Sequence, residues 1–242
     1  AANIESQVDT VEFLELLKTD RPVLLDGGMG TMLQARGLPV GATPEMTALE
    51  HPDWLREIHG AYLDAGSQIV YANREKLAHC GHTVEEIVPA AVAAAKEAAQ
   101  GRGLVALDIG PIGQLLEPTG ILAFDEAVEI FAQVVRAGAQ AGADLVAIET
   151  MTDLQEARAA LLAVKENCDL PVLVTMTYEA TGRTFLGCSP AAAALTLEGM
   201  GADAIGVNCS LGPREMPPLV EELLKWTNLP IVLKPNAGLP HP

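Results

Sequence analysis

The chain has 242 residues, 49% of them hydrophobic and 4% aromatic, with 32 acidic against 15 basic side chains and a net charge of −17. That length suits one large core, as in an α/β barrel, and the charge repels phosphate backbones and anionic lipid, which excludes nucleic acid and membranes as expected partners. No apolar run reaches the roughly 18 residues of a membrane span.

Ala1 to Glu15 is amphipathic and acidic, without the basic and apolar regions of a secretory signal. Cys80, Cys168, Cys188 and Cys209 have no paired spacing. No disulfide framework is expected, and a reducing, cytoplasmic setting is.

Val8 to Lys18 carries apolar residues at helical spacing and ends at Arg21-Pro22. Val23-Leu24-Leu25 reads as a buried strand that runs into Asp26-Gly27-Gly28-Met29-Gly30-Thr31. Glycines there let a ligand approach the backbone, but no Gly-Lys-Ser/Thr follows, so a phosphate loop is not expected. Asp53 to Ala65 is the next helix and Ser67 to Asn73 the second strand. An Ala-rich helix spans Val84 to Gln100, and Leu104 to Pro111 is the third strand. Asp125 to Ala141 is a helix with Asp125 as its cap, and Asp144 to Thr150 is the fourth strand. Asp153 opens a helix to Asn167, and Pro171 to Thr177 is the fifth strand. Pro190 to Met200 is a helix, and Asp203 to Ser210 is the sixth strand. Pro213 to Trp226 is a helix whose first turns Pro217-Pro218 kink, and Pro230 to Ala237 is the seventh strand.

Strand then helix, seven times over, with short and nearly continuous apolar strands, predicts a parallel sheet buried on both faces. The expected fold is a (β/α)8 TIM barrel forming one domain over residues 1–242, with the eighth strand missing from the sequence. An open barrel would leave unpaired strand edges, so a further C-terminal segment is expected.

In such a barrel the loops after the strands build the site. The polar residues there are Asp26, Asn73, Asp108, Glu149, Tyr178, Asn208, Cys209 and Asn236. Two carboxylates with a thiol could hold a metal or grip an amino group. Asp26 and Asp108 read equally well as helix caps. Glu149, closing Leu-Val-Ala-Ile, needs a partner at the mouth of a buried strand. Position alone leaves Cys209 open between ligand and core residue. His79-Cys80-Gly81-His82 looks metal-like but sits in a polar connection. Cys188 reads as a loop cysteine, Cys168 as structural, and His51 and His59 as surface residues. Lys234 is the only lysine on a strand, so a lyase or aldolase barrel with carboxylate-held Mg²⁺ stays open.

Leu25-Asp26-Gly27-Gly28-Met29-Gly30-Thr31, Asp108-Ile109-Gly110-Pro111, Glu149-Thr150, Gly206-Val207-Asn208-Cys209-Ser210 and Pro235-Asn236-Ala237-Gly238 stand in the order of the homocysteine S-methyltransferase family. The resemblance covers essentially the whole chain. That family includes betaine–homocysteine methyltransferase and the homocysteine-binding module of cobalamin-dependent methionine synthase. Asn208-Cys209-Ser210-Leu211-Gly212-Pro213 looks most like the methionine synthase branch.

The resemblance implies a (β/α)8 barrel and zinc-dependent methyl transfer to the thiol of homocysteine, giving methionine. It makes Cys209 the first of three zinc thiolates and Asn236 an interim zinc ligand of the substrate-free state. The other two cysteines form a Gly-Gly-Cys-Cys-Gly block that this sequence lacks, and are expected beyond Pro242. It makes Asp26, Gly27, Gly28, Glu149 and Asn208 substrate-binding residues, with Cys209 and Glu149 central to catalysis. The expected methyl donor is methylcobalamin with methyltetrahydrofolate, bound by corrinoid and folate domains or proteins outside this chain. Betaine or S-methylmethionine is the alternative donor, and a metal-free, non-catalytic homologue the alternative role. After Tyr71-Ala72-Asn73 the family's Thr-Phe-Gly is replaced by Arg74-Glu75-Lys76, so the loop there is shortened or residues have been left out.

Overall fold

The structure is a computed structural model, and it describes residues 13–39, 41–72 and 82–237. Strands alternate with helices along the chain, and the chain divides into two compact units. The first comprises Ala1–Ile109 and Gln133–Val146, and the second Gly110–Ala132 and Ala147–Pro242.

In the first unit, β1 (Ile69–Ala72) and β2 (Leu104–Ile109) pair in parallel, with Ile69 opposite Leu104 and Ala72 opposite Leu107. Both strands are buried along their whole length, which explains their unbroken apolar runs. The predicted strand Val23–Leu25 contracts to one parallel bridge between Leu25 and Ile69. Leu24 on its outer side is 53% exposed, so the apolar triplet has no second buried face to hold it as a strand.

Helices α1 (Met29–Ala35), α2 (Thr47–Glu50), α3 (Pro52–Asp64) and α4 (Val84–Ala99) cover the first unit. Their core joins Leu33, Leu55, Ile58, Ile87 and Ala91. Pro52 stands in the first turn of α3, where its missing N–H costs nothing. Thr83 and Glu86 form a reciprocal capping box at the start of α4. His59, expected at the surface, is instead buried on α3. Burial pushes its imidazole down to about 4, so it stays neutral in the fold. The Asp144 carboxylate accepts from the Val105 backbone N–H at 2.6 Å and pairs with Lys96.

Helix α5 (Phe124–Gln140) and strand β3 (Leu145–Met151) each run from one unit into the other. Asp125 lies inside the first turn of α5, where a carboxylate favours the helix dipole, and is not the expected cap.

The second unit holds β4 (Val172–Met176), β5 (Ala204–Asn208) and β6 (Ile231–Lys234). These pair in parallel in chain order, with Thr175 opposite Gly206 and Asn208 opposite Lys234. Helix α6 (Leu154–Asn167) is capped by Asp153, which accepts from the Gln155 N–H at 2.9 Å. Helix α7 (Pro190–Gly199) is capped by Ser189. Helix α8 spans only Pro217–Leu223. The expected start at Pro213 moves to the proline pair because Pro tolerates only the first turn of a helix. Six strands are present among the described residues, against the seven expected from the sequence. The fold is α/β with parallel strands. No helix among the described residues is long and apolar enough to cross a membrane.

Gly206 shows how closely β5 and β6 approach. A Cβ placed there would stand 1.8 Å from the Val232 carbonyl oxygen. Backbone cannot yield as a flexible side chain can, so Gly206→Ala is expected to cost about 3 kcal/mol or more, read as a lowered urea midpoint. An unchanged midpoint would contradict this register.

Candidate functional site

Chemically useful side chains of the second unit gather after the ends of β3, β4, β5 and β6. Asn208, the last residue of β5, is fully buried. Its Oδ1 accepts from the Thr150 backbone N–H at 2.9 Å and from the Thr175 hydroxyl at 2.9 Å. A backbone N–H can only donate, which fixes the orientation of the amide. Nδ2 therefore donates to Thr150 Oγ1 at 2.8 Å and towards Cys209 Sγ at 3.3 Å. The Thr177 hydroxyl donates to the Asn208 carbonyl at 3.1 Å.

The backbone here is strained. Thr150, Cys209 and Ser210 lie at φ of 63°, 57° and 57°. Non-glycine residues rarely adopt that region, and a β-branched threonine almost never does. Each costs on the order of 1–3 kcal/mol and persists only where its surroundings enforce it. The hydrogen bonds from Asn208 to Thr150 are that enforcement. Cys209 is also tied down by its own N–H, which donates to the Lys234 carbonyl at 3.1 Å. Its sulfur is half-buried and free of any disulfide.

Glu149, near the end of β3, is 2% exposed. Lys234, the last residue of β6, brings Nζ to 3.3 Å from Glu149 Oε2. The carboxylate thus has the partner its burial demands. Asn236 is partly buried, and its N–H donates to the Leu211 carbonyl at 3.1 Å.

The glycine turn belongs to the first unit. Asp26 is 6% exposed, and its Oδ2 accepts from the Tyr71 N–H at 2.8 Å. It therefore grips β1, while the N-cap of α1 is Gly28. A Cβ on Gly27 would meet the Tyr62 hydroxyl at 2.9 Å, and that hydroxyl donates to the Gly28 carbonyl at 3.2 Å. Asp108 is buried on β2.

Asn73, His79 and Cys80 lie outside the described residues. His82 sits at the surface, 3.2 Å from Glu86. Cys168 caps the C-terminus of α6, and its thiol is pushed up by burial. Cys188 precedes α7, and burial raises its thiol as well. Tyr178 is fully buried, its hydroxyl has no hydrogen-bond partner among the described residues, and burial pushes its phenol up.

Among the described residues no three His, Cys, Asp or Glu side chains are placed to hold a metal. Cys209 fits as one ligand, because its sulfur is half-buried and receives an amide N–H. One thiolate is short of the four donors of a structural zinc site, or the three of a catalytic one.

Four participants were missed in the sequence. Thr175 and Thr177 alternate on β4 and its end, a spacing of two that puts them on one face. Thr150 stands in the Glu149-Thr150 motif but shows its role only through its φ. Glu156 is hidden because Asp153-x-x-Glu156 reads as a capping box. Instead its Oε1 accepts from the Ile112 N–H at 2.6 Å, in the turn after β2.

The chain is similar to crystal structures of the homocysteine methyltransferase MmuM from Escherichia coli. The apo form matches with a TM-score of 0.78 and 25% identity over 92% of this chain and 84% of that one. The metallated form matches with 0.78 and 24% over 93% and 87%. The carboxyl transferase domain of Rhizobium etli pyruvate carboxylase shares the fold alone, with 0.58 and 17% over 94% of this chain and 38% of that one.

A family model described as homocysteine S-methyltransferase matches residues 23–242, and the chain belongs to that family. It is also 31% identical over 264 residues to the methionine synthase of Mycobacterium leprae, covering 99% of this chain and 22% of that protein. The chain therefore spans about a fifth of that relative's length.

Glu156 is 4% exposed, and burial raises its carboxyl from 4.5 to about 7. The fold favours the neutral acid, so its contribution is complete below pH 4.5 and is lost as pH rises through about 7. Relative to Glu156→Gln, the wild type should lose up to about 3 kcal/mol between pH 4 and pH 8, measured by urea unfolding at both. Parallel pH dependence in the two proteins would contradict the assignment.

Proposed function

We propose that the chain is the homocysteine-binding part of an enzyme that transfers a methyl group to homocysteine and forms methionine. The observation that carries this reading is the buried Glu149 carboxylate, at a strand end of the same unit as the half-buried Cys209 sulfur. Membership of the homocysteine S-methyltransferase family supports it.

Glu149 accepts the ammonium of the amino acid, a charge-assisted contact of about 1.5–3 kcal/mol. Asn208 aims the Cys209 sulfur and holds Thr150 in its strained conformation. Cys209 and Asn236, with further thiolates from outside residues 1–242, would hold zinc, which keeps a thiol sulfur anionic and nucleophilic near neutral pH. A metallated form of MmuM supports a metal in this role. The homocysteine S–H loses its proton to solvent. Its sulfur forms a bond to the methyl carbon as the donor's bond to that carbon breaks.

The donor proposed is methylcobalamin recharged from methyltetrahydrofolate, on corrinoid and folate-binding partners. The similarity to methionine synthase supports it. The similarity to MmuM keeps a second reading, a small-molecule donor such as S-methylmethionine or betaine.

The full-length protein, given L-homocysteine with each donor in turn, should form methionine and carry about one zinc per chain. Cys209→Ala should lose the metal, and Glu149→Gln should lower kcat/KM by about 10- to 100-fold. Full-length protein that forms no methionine from any donor would overturn the reading.

A further inference from the structure

Thr150 holds a backbone conformation that its residue type disfavours. Its φ is 63°, in a region that β-branched residues almost never enter. Glycine would take that angle without strain. A threonine in such a place needs a reason in its side chain.

The hydroxyl supplies one. Asn208 holds residue 150 twice, by taking its backbone N–H on Oδ1 at 2.9 Å and by donating from Nδ2 to its Oγ1 at 2.8 Å. The other Nδ2 hydrogen points to Cys209 Sγ at 3.3 Å. A hydroxyl that accepts one hydrogen bond still has its own hydrogen to place. Among the described residues, the acceptor within its reach is Cys209 Sγ at 3.8 Å, a length that the larger sulfur atom admits. A thiolate that binds metal carries no hydrogen of its own, so the amide and the hydroxyl both donate to it. The sulfur then lies in a fork, with one arm from its chain neighbour and one from a residue 59 positions away. Hydrogen bonds of this kind to a ligand atom orient it and tune what it donates to the metal.

We propose that Thr150 is a positioning residue for Cys209, whose hydroxyl donates to the sulfur and, with the Asn208 amide, fixes the direction and electron density that the sulfur presents to a metal. This rests on the reading of Cys209 as a metal ligand and adds to it a residue that acts through the sulfur. The strained φ follows, because it carries Oγ1 to a point between the Asn208 amide and the sulfur.

Full-length protein loaded with cobalt(II) in place of zinc tests the assignment. Its sulfur-to-cobalt charge-transfer band reads the electron density on the thiolate, which a purely structural role for Thr150 would leave alone. A hydrogen bond lowers the energy of the sulfur electrons, so losing one moves the band to longer wavelength. Thr150→Val keeps the side-chain shape and drops the hydroxyl. It should shift the band to longer wavelength and weaken zinc by about 10-fold or more in competition with a chelator. Thr150→Ser should restore both. Thr150→Gly also lacks the hydroxyl but relieves the backbone, so it covers the case of a valine variant that does not fold, and it should match the effects expected for valine. A folded variant without the hydroxyl that keeps the wild-type band and the wild-type zinc affinity would overturn this assignment while leaving Cys209 a ligand. Wild type that takes up neither metal would remove the metal reading itself, and this assignment with it.

Discussion

The Asn208 carboxamide is the contact on which the strand ends of the second unit depend. Its oxygen collects the Thr150 N–H and the Thr175 hydroxyl, and its nitrogen reaches Thr150 Oγ1 and the Cys209 sulfur. A fully satisfied amide is what makes three non-glycine residues at positive φ tolerable so close together. Without it the half-buried Thr150 N–H would lose its acceptor, and the orientation of Cys209 would no longer be specified. Strain near a chemically useful sulfur is expected where geometry, rather than stability alone, shapes the backbone.

A second constraint is electrostatic. The chain carries a large negative charge, yet the carboxylate at the end of β3 is kept buried by one lysine from the end of β6. A buried pair of this kind is weak evidence for stability, because removing two charges from water offsets much of their attraction. Glu156 and His59 follow a different logic. Each is held in its neutral form by burial, in different units, and their contributions to stability run in opposite directions with pH.

Much of the fold was legible in the sequence because both faces of these strands are buried. Continuous apolar runs of four to seven residues could be read off as strands β1 to β6. Leu24 shows why that reading overreached once, since an apolar triplet looks the same whether one face or two are covered. Proline chemistry singled out Pro217-Pro218, but as a kink within a helix from Pro213 and not as the start of α8. The candidate residues Glu149, Asn208 and Cys209 were visible as polar interruptions at strand ends. What they do to each other was not visible, because hydrogen bonds between Asn208 and Thr150 join residues 58 positions apart. His59 was misread for a similar reason, since a single histidine between Ile58 and Gly60 on α3 gives no sign of the face it occupies. Tyr178 was found by position, but its burial without a hydroxyl partner belongs to tertiary structure alone.

The central claim is that the second unit receives the amino-acid end of homocysteine at Glu149 and turns the thiol towards Cys209. A crystal structure of the full-length protein with L-homocysteine tests it most directly. The account predicts the ligand's ammonium within hydrogen-bond distance of Glu149 and the ligand's sulfur on the Cys209 side. Homocysteine bound away from both residues would contradict it.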